Sequence, residues 1–291
     1  SKEQDDNNSS RKRRKLKDKT PTGKKKEAKV PKQKAEKEKN PAEDTGPVIV
    51  KFRIPKLEDL VSQKARKIIR GAGRDLNDSK VQDKACEHLR KLATSKDNND
   101  KIILAGGIEM IANAMTQHPD KTIVQAEACA TIAGMAWIDP SIATKLAHLG
   151  ILERISSCME RLAKTNNTKV QQMGCGAFRA LSYIDSNVPL IMDAGGLIAV
   201  LNSMKRNPKK LMVQQEGCYV LQNMLASGPN AVLLSSAIAD TIVESESEIV
   251  PNLLDSMFHE NADTEFREAV LSLVANLALH PKANTSMGRS S

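Results

Sequence analysis

The chain has 291 residues and a net charge of +9, but the charge is unevenly placed: residues 1–75 hold 24 Lys+Arg against 12 Asp+Glu, and residues 76–291 hold 20 against 23. With one Trp, two Tyr and four Phe, the core must be aliphatic and small-residue, which suits stacked helices and argues against a β-sandwich or barrel. No apolar run approaches the roughly 18 residues of a membrane span.

Residues 1–46 carry 16 Lys+Arg, 9 acids and no aromatic residue. Such a stretch buries too little apolar surface to offset its ordering entropy and is expected to be a disordered arm. Arg11, Lys12, Arg13, Arg14, Lys15 and Lys17 form one basic cluster and Lys24, Lys25 and Lys26 a second. The pair resembles a bipartite nuclear-import signal, whose ammonium and guanidinium groups meet an acidic, aromatic-lined receptor groove. Non-specific phosphate neutralisation on nucleic acid is the rival reading, and a solvated tail the third. The lack of interleaved aromatics counts against base stacking. An import receptor as partner and a nuclear or nucleocytoplasmic location follow from the first reading. No secretory h-region opens the chain, so an intracellular protein is expected.

Residues 47–76 are transitional. "VIVKFRI" alternates like a strand, and "KLEDLVSQKARKIIR" places Leu57, Leu60, Val61, Ile68 and Ile69 near helical spacing. A helix there would cap the first of the repeats that follow.

Residues 77–291 are dominated by those repeats. Val-Gln pairs recur at Val81, Val124, Val170 and Val213, with Phe266 as a degenerate fifth anchor. Apolar or small residues follow at offsets 4, 8 and 11, as in Val124, Ala128, Ile132 and Met135. These offsets describe one face of an α-helix. A second helix ends in methionine at Met115, Met159, Met204 and Met257. A shorter helix precedes it, with Gly106-Gly107 and Gly195-Gly196 as sharp breaks. Four full units and part of a fifth, each about 43 residues, fall in the range of helical solenoid repeats. The fourth unit is longer, and "NAVLLSSAIADTIVESESEIV" is expected either to lengthen a helix or to form a loop with an acidic tip at Glu244, Glu246 and Glu248.

Four of the five cysteines, Cys86, Cys129, Cys175 and Cys218, fall five residues after an anchor. Equivalent positions in successive repeats lie about one helix diameter apart, roughly 10 Å, too far for a disulfide or a zinc site. They read as small packing residues, as does Cys158 in the small-residue slot of the second helix.

The pattern G-G-I/L-x-x-I/V-x-x-x-M, His-Pro or Asn-Pro, then V-Q-x-x-A/G-C-x-x-L-x-x-L resembles armadillo repeats. It is closest to the variant in the armadillo region of the leucine-rich-repeat kinases and related unassigned eukaryotic proteins. The resemblance covers roughly residues 77–280 and implies an all-α, right-handed superhelical solenoid of three-helix repeats. No kinase or GTPase signature accompanies it. The family's import adaptors grip basic peptides with a Trp and, four residues on, an Asn in successive repeats. The matching positions here are Glu87/Lys91, Ala130/Gly134, Gly176/Ala180, Tyr219/Asn223 and Ser272/Asn276, so the tryptophans are missing. Glu87, Lys91, Tyr219, Asn223 and Asn276 are the candidate groove contacts, over a floor of small residues. Trp137 and Tyr183, at matching helix ends, are expected to seal the core between repeats.

The five histidines show no metal-ligand spacing, and Gly71-Ala72-Gly73 lacks the rest of a phosphate-cradling motif. No enzymatic activity, cofactor or metal is expected. The reading is a scaffold that binds another protein, as an extended peptide or a helix, in its concave groove. A chromatin- or RNA-associated factor is the alternative, and an import-adaptor-like binder of basic peptides the third.

Overall fold

The computed structural model describes residues 59–165, 167–226, 231–244 and 248–278. The basic arm with its import-signal residues, the strand-like stretch, Leu57 and Glu246 lie outside the described residues.

The described chain is all helix. It begins with α1 (Leu60–Arg74) and α2 (Ser79–Leu92). Four three-helix repeats follow. They are α3 (Lys96–Leu104), α4 (Gly107–Gln117) and α5 (Thr122–Ile138); α6 (Pro140–Ala147), α7 (Ile151–Arg161) and α8 (Lys169–Ser182); α9 (Val188–Asp193), α10 (Gly196–Arg206) and α11 (Leu211–Ala226); and α12 (Ala231–Glu244), α13 (Ile249–Met257) and α14 (Thr264–Ala278). The Val-Gln helices α2, α5, α8 and α11 and the Phe266 helix α14 pack in series as a ladder, and α1, α4, α7, α10 and α13 form a second row behind them. This is the armadillo-like solenoid that the repeat pattern implies.

Local chemistry sets the helix starts. Asp59 accepts from Ser62 N at 2.9 Å and Asp78 from Lys80 N at 2.8 Å. Asp139 caps α6 through Ser141 N, with Pro140 at the first helical position, where its missing N–H costs nothing. Three second-row helices, α4, α7 and α10, start differently, after Gly106, Gly150 and Gly195 with φ of 86°, 67° and 74°. A side chain there would strain the backbone, and the glycine lets a short helix fold back onto the next within two or three residues.

The ladder's inward face is the one the offsets mark. Val124, Ala128, Ile132 and Met135 are buried, and so are Val170, Phe178 and Leu181 one rung on. The Gln of each Val-Gln pair has a structural task. Gln82 donates to Ala72 O and Asp75 O, Gln125 to Met115 O and His118 O, both at 2.8 Å, and Gln171 to Met159 O. Gln214 donates to Met204 O and Asn207 O. Each ladder helix thus satisfies the orphan carbonyls at the C-terminus of the second-row helix before it. Arg267 Nε takes the place of the Gln in the last rung, donating to Met257 O at 2.9 Å. Gln82 treats α1 as a second-row helix, so α1 and α2 correspond to the last two helices of a three-helix repeat. Ala65 and Ala72 carry its buried face, whereas Leu60 is exposed, contrary to the spacing.

The extra residues of the fourth unit lengthen its first helix. α12 has 14 residues where α3, α6 and α9 have nine, eight and six, and it buries Ile238, Ala239 and Ile242.

All five cysteines are free and buried. Burial pushes the thiols of Cys86, Cys175 and Cys218 up to about 12, so they are neutral packing groups. Cys129 Sγ lies 3.8 Å from Cys158 Sγ, and Cys175 Sγ 3.9 Å from Ser203 Oγ. The second helix's small-residue slot therefore faces the ladder cysteine.

Candidate functional site

At 3.6 residues per turn, offsets 2, 6, 9 and 13 from each anchor fall within about 60° of one another, opposite the buried offsets 0, 4, 8 and 11. This is the open face of the ladder, and its centre is a continuous cleft. One half is lined by Trp137, Arg179, Tyr183, Tyr219, Glu265 and Glu268, among others, and the other half by Arg90, Gly134, Trp137, Gly176, Arg179 and Glu216. Trp137 and Arg179 belong to both.

Arg179 on α8 is the hub. Its guanidinium carbon lies 3.9 Å from the centre of the Tyr219 ring and 5.3 Å from that of Trp137, within cation–π range. Its nitrogens meet Glu216 at 3.4 Å and Glu265 at 3.9 Å. One side chain thereby joins four rungs of the ladder. Desolvation of the Glu216 carboxyl pushes its pKa up, and the Arg179 charge works against that rise. The first two rungs repeat the device, with Arg90 at 3.4 Å from Glu127, whose other oxygen meets Lys169 at 3.2 Å. In both cases an Arg nine residues after one anchor meets a Glu three residues after the next.

Trp137 and Tyr183 do not seal the core. They are 49% and 66% exposed, with ring centres 6.1 Å apart. Trp137 is the penultimate residue of α5 and Tyr183 caps α8. Thirteen residues past the anchor is about 220° round the helix, on the open face. That angle is the sequence signal for both residues, and the Arg-to-Glu spacing is the signal for Arg179 and Glu216.

The five expected contacts are scattered by comparison. Tyr219 and Asn223 line the cleft. Tyr219 is only 6% exposed, its ring covered by Arg179. The Asn223 amide donates to Arg179 O at 3.2 Å and Ser182 Oγ at 3.1 Å, so it ties α11 to the end of α8. Glu87 and Lys91 pair with each other at 2.6 Å on α2, which holds the Glu87 carboxyl below its usual range. Asn276 is exposed, one turn beyond Ser272 on α14. The small-residue floor is present as Ala130, Ala133, Gly134 and Gly176. Among the described residues, no three His, Cys, Asp or Glu side chains gather as a metal site.

No protein-family profile matches the chain, and no curated protein matches its sequence. Solved structures do resemble it. An engineered protein superposes with a TM-score of 0.56 at 21% identity over 76% of this chain and 94% of that one. A designed armadillo repeat protein in complex with the peptide (KR)4 gives 0.53 at 16% identity, over 75% and 90% of the two chains. Another designed armadillo repeat protein gives 0.55 at 16%, with the same coverage. At these identities the likeness is one of fold.

Proposed function

We propose that this armadillo-like solenoid is a protein-binding scaffold that takes an extended peptide segment along the open face of α2, α5, α8, α11 and α14. The observation that carries the reading is the exposed Trp137–Tyr183 pair beside the Arg179 hub. Exposed aromatic groups over a small-residue floor, framed by charged residues, have the composition of a binding hot spot. Gly134 and Gly176 leave room for a peptide backbone to pass close to the helices. The cleft holds Glu216, Glu265 and Glu268 against Arg90 and Arg179. Arg179 is already paired with two of those carboxylates, so the charge left over favours a basic side chain against the aromatic faces. The designed neighbour with a Lys/Arg peptide supports that polarity, although the Trp-and-Asn array of import adaptors is absent here.

The test is selection of peptides from a displayed random library on the full chain, followed by affinity measurement against Trp137→Ala and Tyr183→Ala variants. Selected peptides should carry Lys or Arg and lose about tenfold or more in affinity on Trp137→Ala, the loss of one aromatic anchor. Selected peptides that bind both variants as tightly as the parent chain would rule out this site.

The basic arm supports a nuclear location through residues 11–17 and 24–26. Fusing residues 1–46 to a fluorescent carrier tests it: nuclear accumulation lost on neutralising Lys24, Lys25 and Lys26 supports the signal, and a uniform distribution refutes it. The alternative, a chromatin- or RNA-associated factor, rests on the same arm and on salt-sensitive phosphate contacts.

A further inference from the structure

Away from the groove, α1 carries a second surface. Arg66, Lys67, Arg70 and Arg74 line a hollow together with Gln63 and Gly71. All four cations are exposed, and α1 contains no acidic residue from Leu60 to Arg74. Arg66, Arg70 and Arg74 stand one above another at four-residue intervals, about 6 Å apart along the axis. The opposite side of the helix is buried at Ala65 and Ala72, so the row is held facing outward.

An independent observation comes from Gly71. Glycine inside a helix is less stable than alanine, and a fold keeps one for a positive φ or for close packing. Gly71 shows neither: it is not among the positive-φ glycines, and no described residue lies within 4 Å of a Cβ built on it. Gly71 adds no side chain to the lining of the hollow, which leaves its floor low beside Lys67, Arg70 and Arg74.

We propose that this face of α1 binds the sugar–phosphate backbone of double-stranded nucleic acid. Guanidinium forks at regular spacing match a row of phosphates, and the glycine floor admits the strand. α1 has no aromatic residue, which disfavours unpaired bases as the ligand. No bulky apolar side chain stands among the arginines, which disfavours insertion into a lipid surface. Contacts of this kind position the duplex without reading its sequence. The site is part of the folded body, is separate from the basic arm, and does not depend on the groove reading.

The test uses the full chain and a fluorescent duplex of about 20 base pairs, titrated over a range of salt concentrations. Arg70→Gln and Arg74→Gln combined should reduce the slope of log K against log salt by about 1.8, at roughly 0.9 for each phosphate no longer neutralised. The arm contributes equally to both proteins, so the difference reports α1. A second variant, Gly71→Gln, should raise the thermal midpoint yet weaken duplex binding several-fold, a pair of changes that a purely structural role for the glycine does not give. An unchanged slope, or unchanged affinity on Gly71→Gln, overturns the proposal. So does tighter, α1-dependent binding to phosphatidylserine vesicles or to poly-glutamate, which would assign the face to lipid or to an acidic protein.

Discussion

The Arg179 guanidinium covers the Tyr219 ring at 3.9 Å while holding the Glu216 carboxylate at 3.4 Å. Groove face and solenoid core are therefore joined at one side chain, so a change made at the surface should be felt in the stability of the whole.

Arg179→Ala should destabilise the fold by about 2–3 kcal/mol, because it leaves a largely buried Glu216 without its cation. Arg179→Lys should recover only part, since a lysine cannot reproduce the planar stack on Tyr219. The deficit should depend on pH. A carboxyl whose folded pKa is raised binds protons more readily in the folded state, so stability falls as pH rises from the unfolded pKa through the folded one. Removing Arg179 takes away the charge that opposes the Glu216 rise and pushes that pKa higher still. The loss should be widest at neutral pH and narrow as pH drops through the carboxylate range. Urea unfolding at pH 7 and pH 5 checks this, and a pH-independent deficit would contradict it.

Gln125→Met keeps the side-chain volume but strips hydrogen bonds from Met115 O and His118 O. His118 O keeps Lys121 N as a donor at 3.1 Å, so the cost falls mainly on Met115 O and should be about 1–3 kcal/mol. The amides of α4 should lose protection from hydrogen exchange before those of α8, because the damage lies at the α4 C-terminus. Equal loss across all rungs would argue against a local capping role.

Two glycine substitutions should move stability in opposite directions. A Cβ on Gly107 would stand 2.4 Å from Ile102 Cγ2 and 2.9 Å from Ile102 O, and backbone cannot yield as a side chain does. Gly107→Ala should cost about 1–3 kcal/mol through overpacking. Gly71→Ala, with no described residue near the new methyl, should stabilise by about 0.4–1 kcal/mol. Paired thermal melts decide both.

The five thiols should report opening of the fold. In the native protein Cys86, Cys129, Cys175 and Cys218 have no exposed surface; burial holds the thiols of Cys86, Cys175 and Cys218 up, and that of Cys129 is held up first by its contact with Cys158 and then by burial. A thiol reagent at pH 8 should modify them only as fast as the chain opens. Rapid modification of any of these four in folded protein would show that its rung is loose.

Most of the fold is legible in the sequence because one helix face recurs at fixed offsets. The Val, Ala or Gly, Leu and Met of that face recur with residues of similar type at the same offsets one rung on. The Gln beside each Val is legible only as a repeat, since its partners lie 7 to 12 residues back on another helix and are backbone atoms with no sequence signature. The cleft is half legible. Tyr219 is reached through the import-adaptor pattern. Trp137 and Tyr183 are misplaced when a helix-end aromatic is assigned to the core, although their angle puts them on the open face. Leu60 is misplaced because helical spacing alone does not say which side of a terminal helix a neighbour covers.

The glutamine contacts also make each repeat a self-contained unit of growth. A rung brings the donor that completes its predecessor and presents its own open carbonyls to its successor, with Gln82, Gln125 and Gln214 each reaching carbonyls ten and seven residues back. Lifting out one stretch from a Val-Gln pair to the next would hand the Met115 and His118 carbonyls from Gln125 to Gln171, and duplicating it would insert a matching joint. Such a chain can lengthen or shorten in whole repeats without inventing a new interface, whereas a cut inside a repeat leaves a joint with no mate.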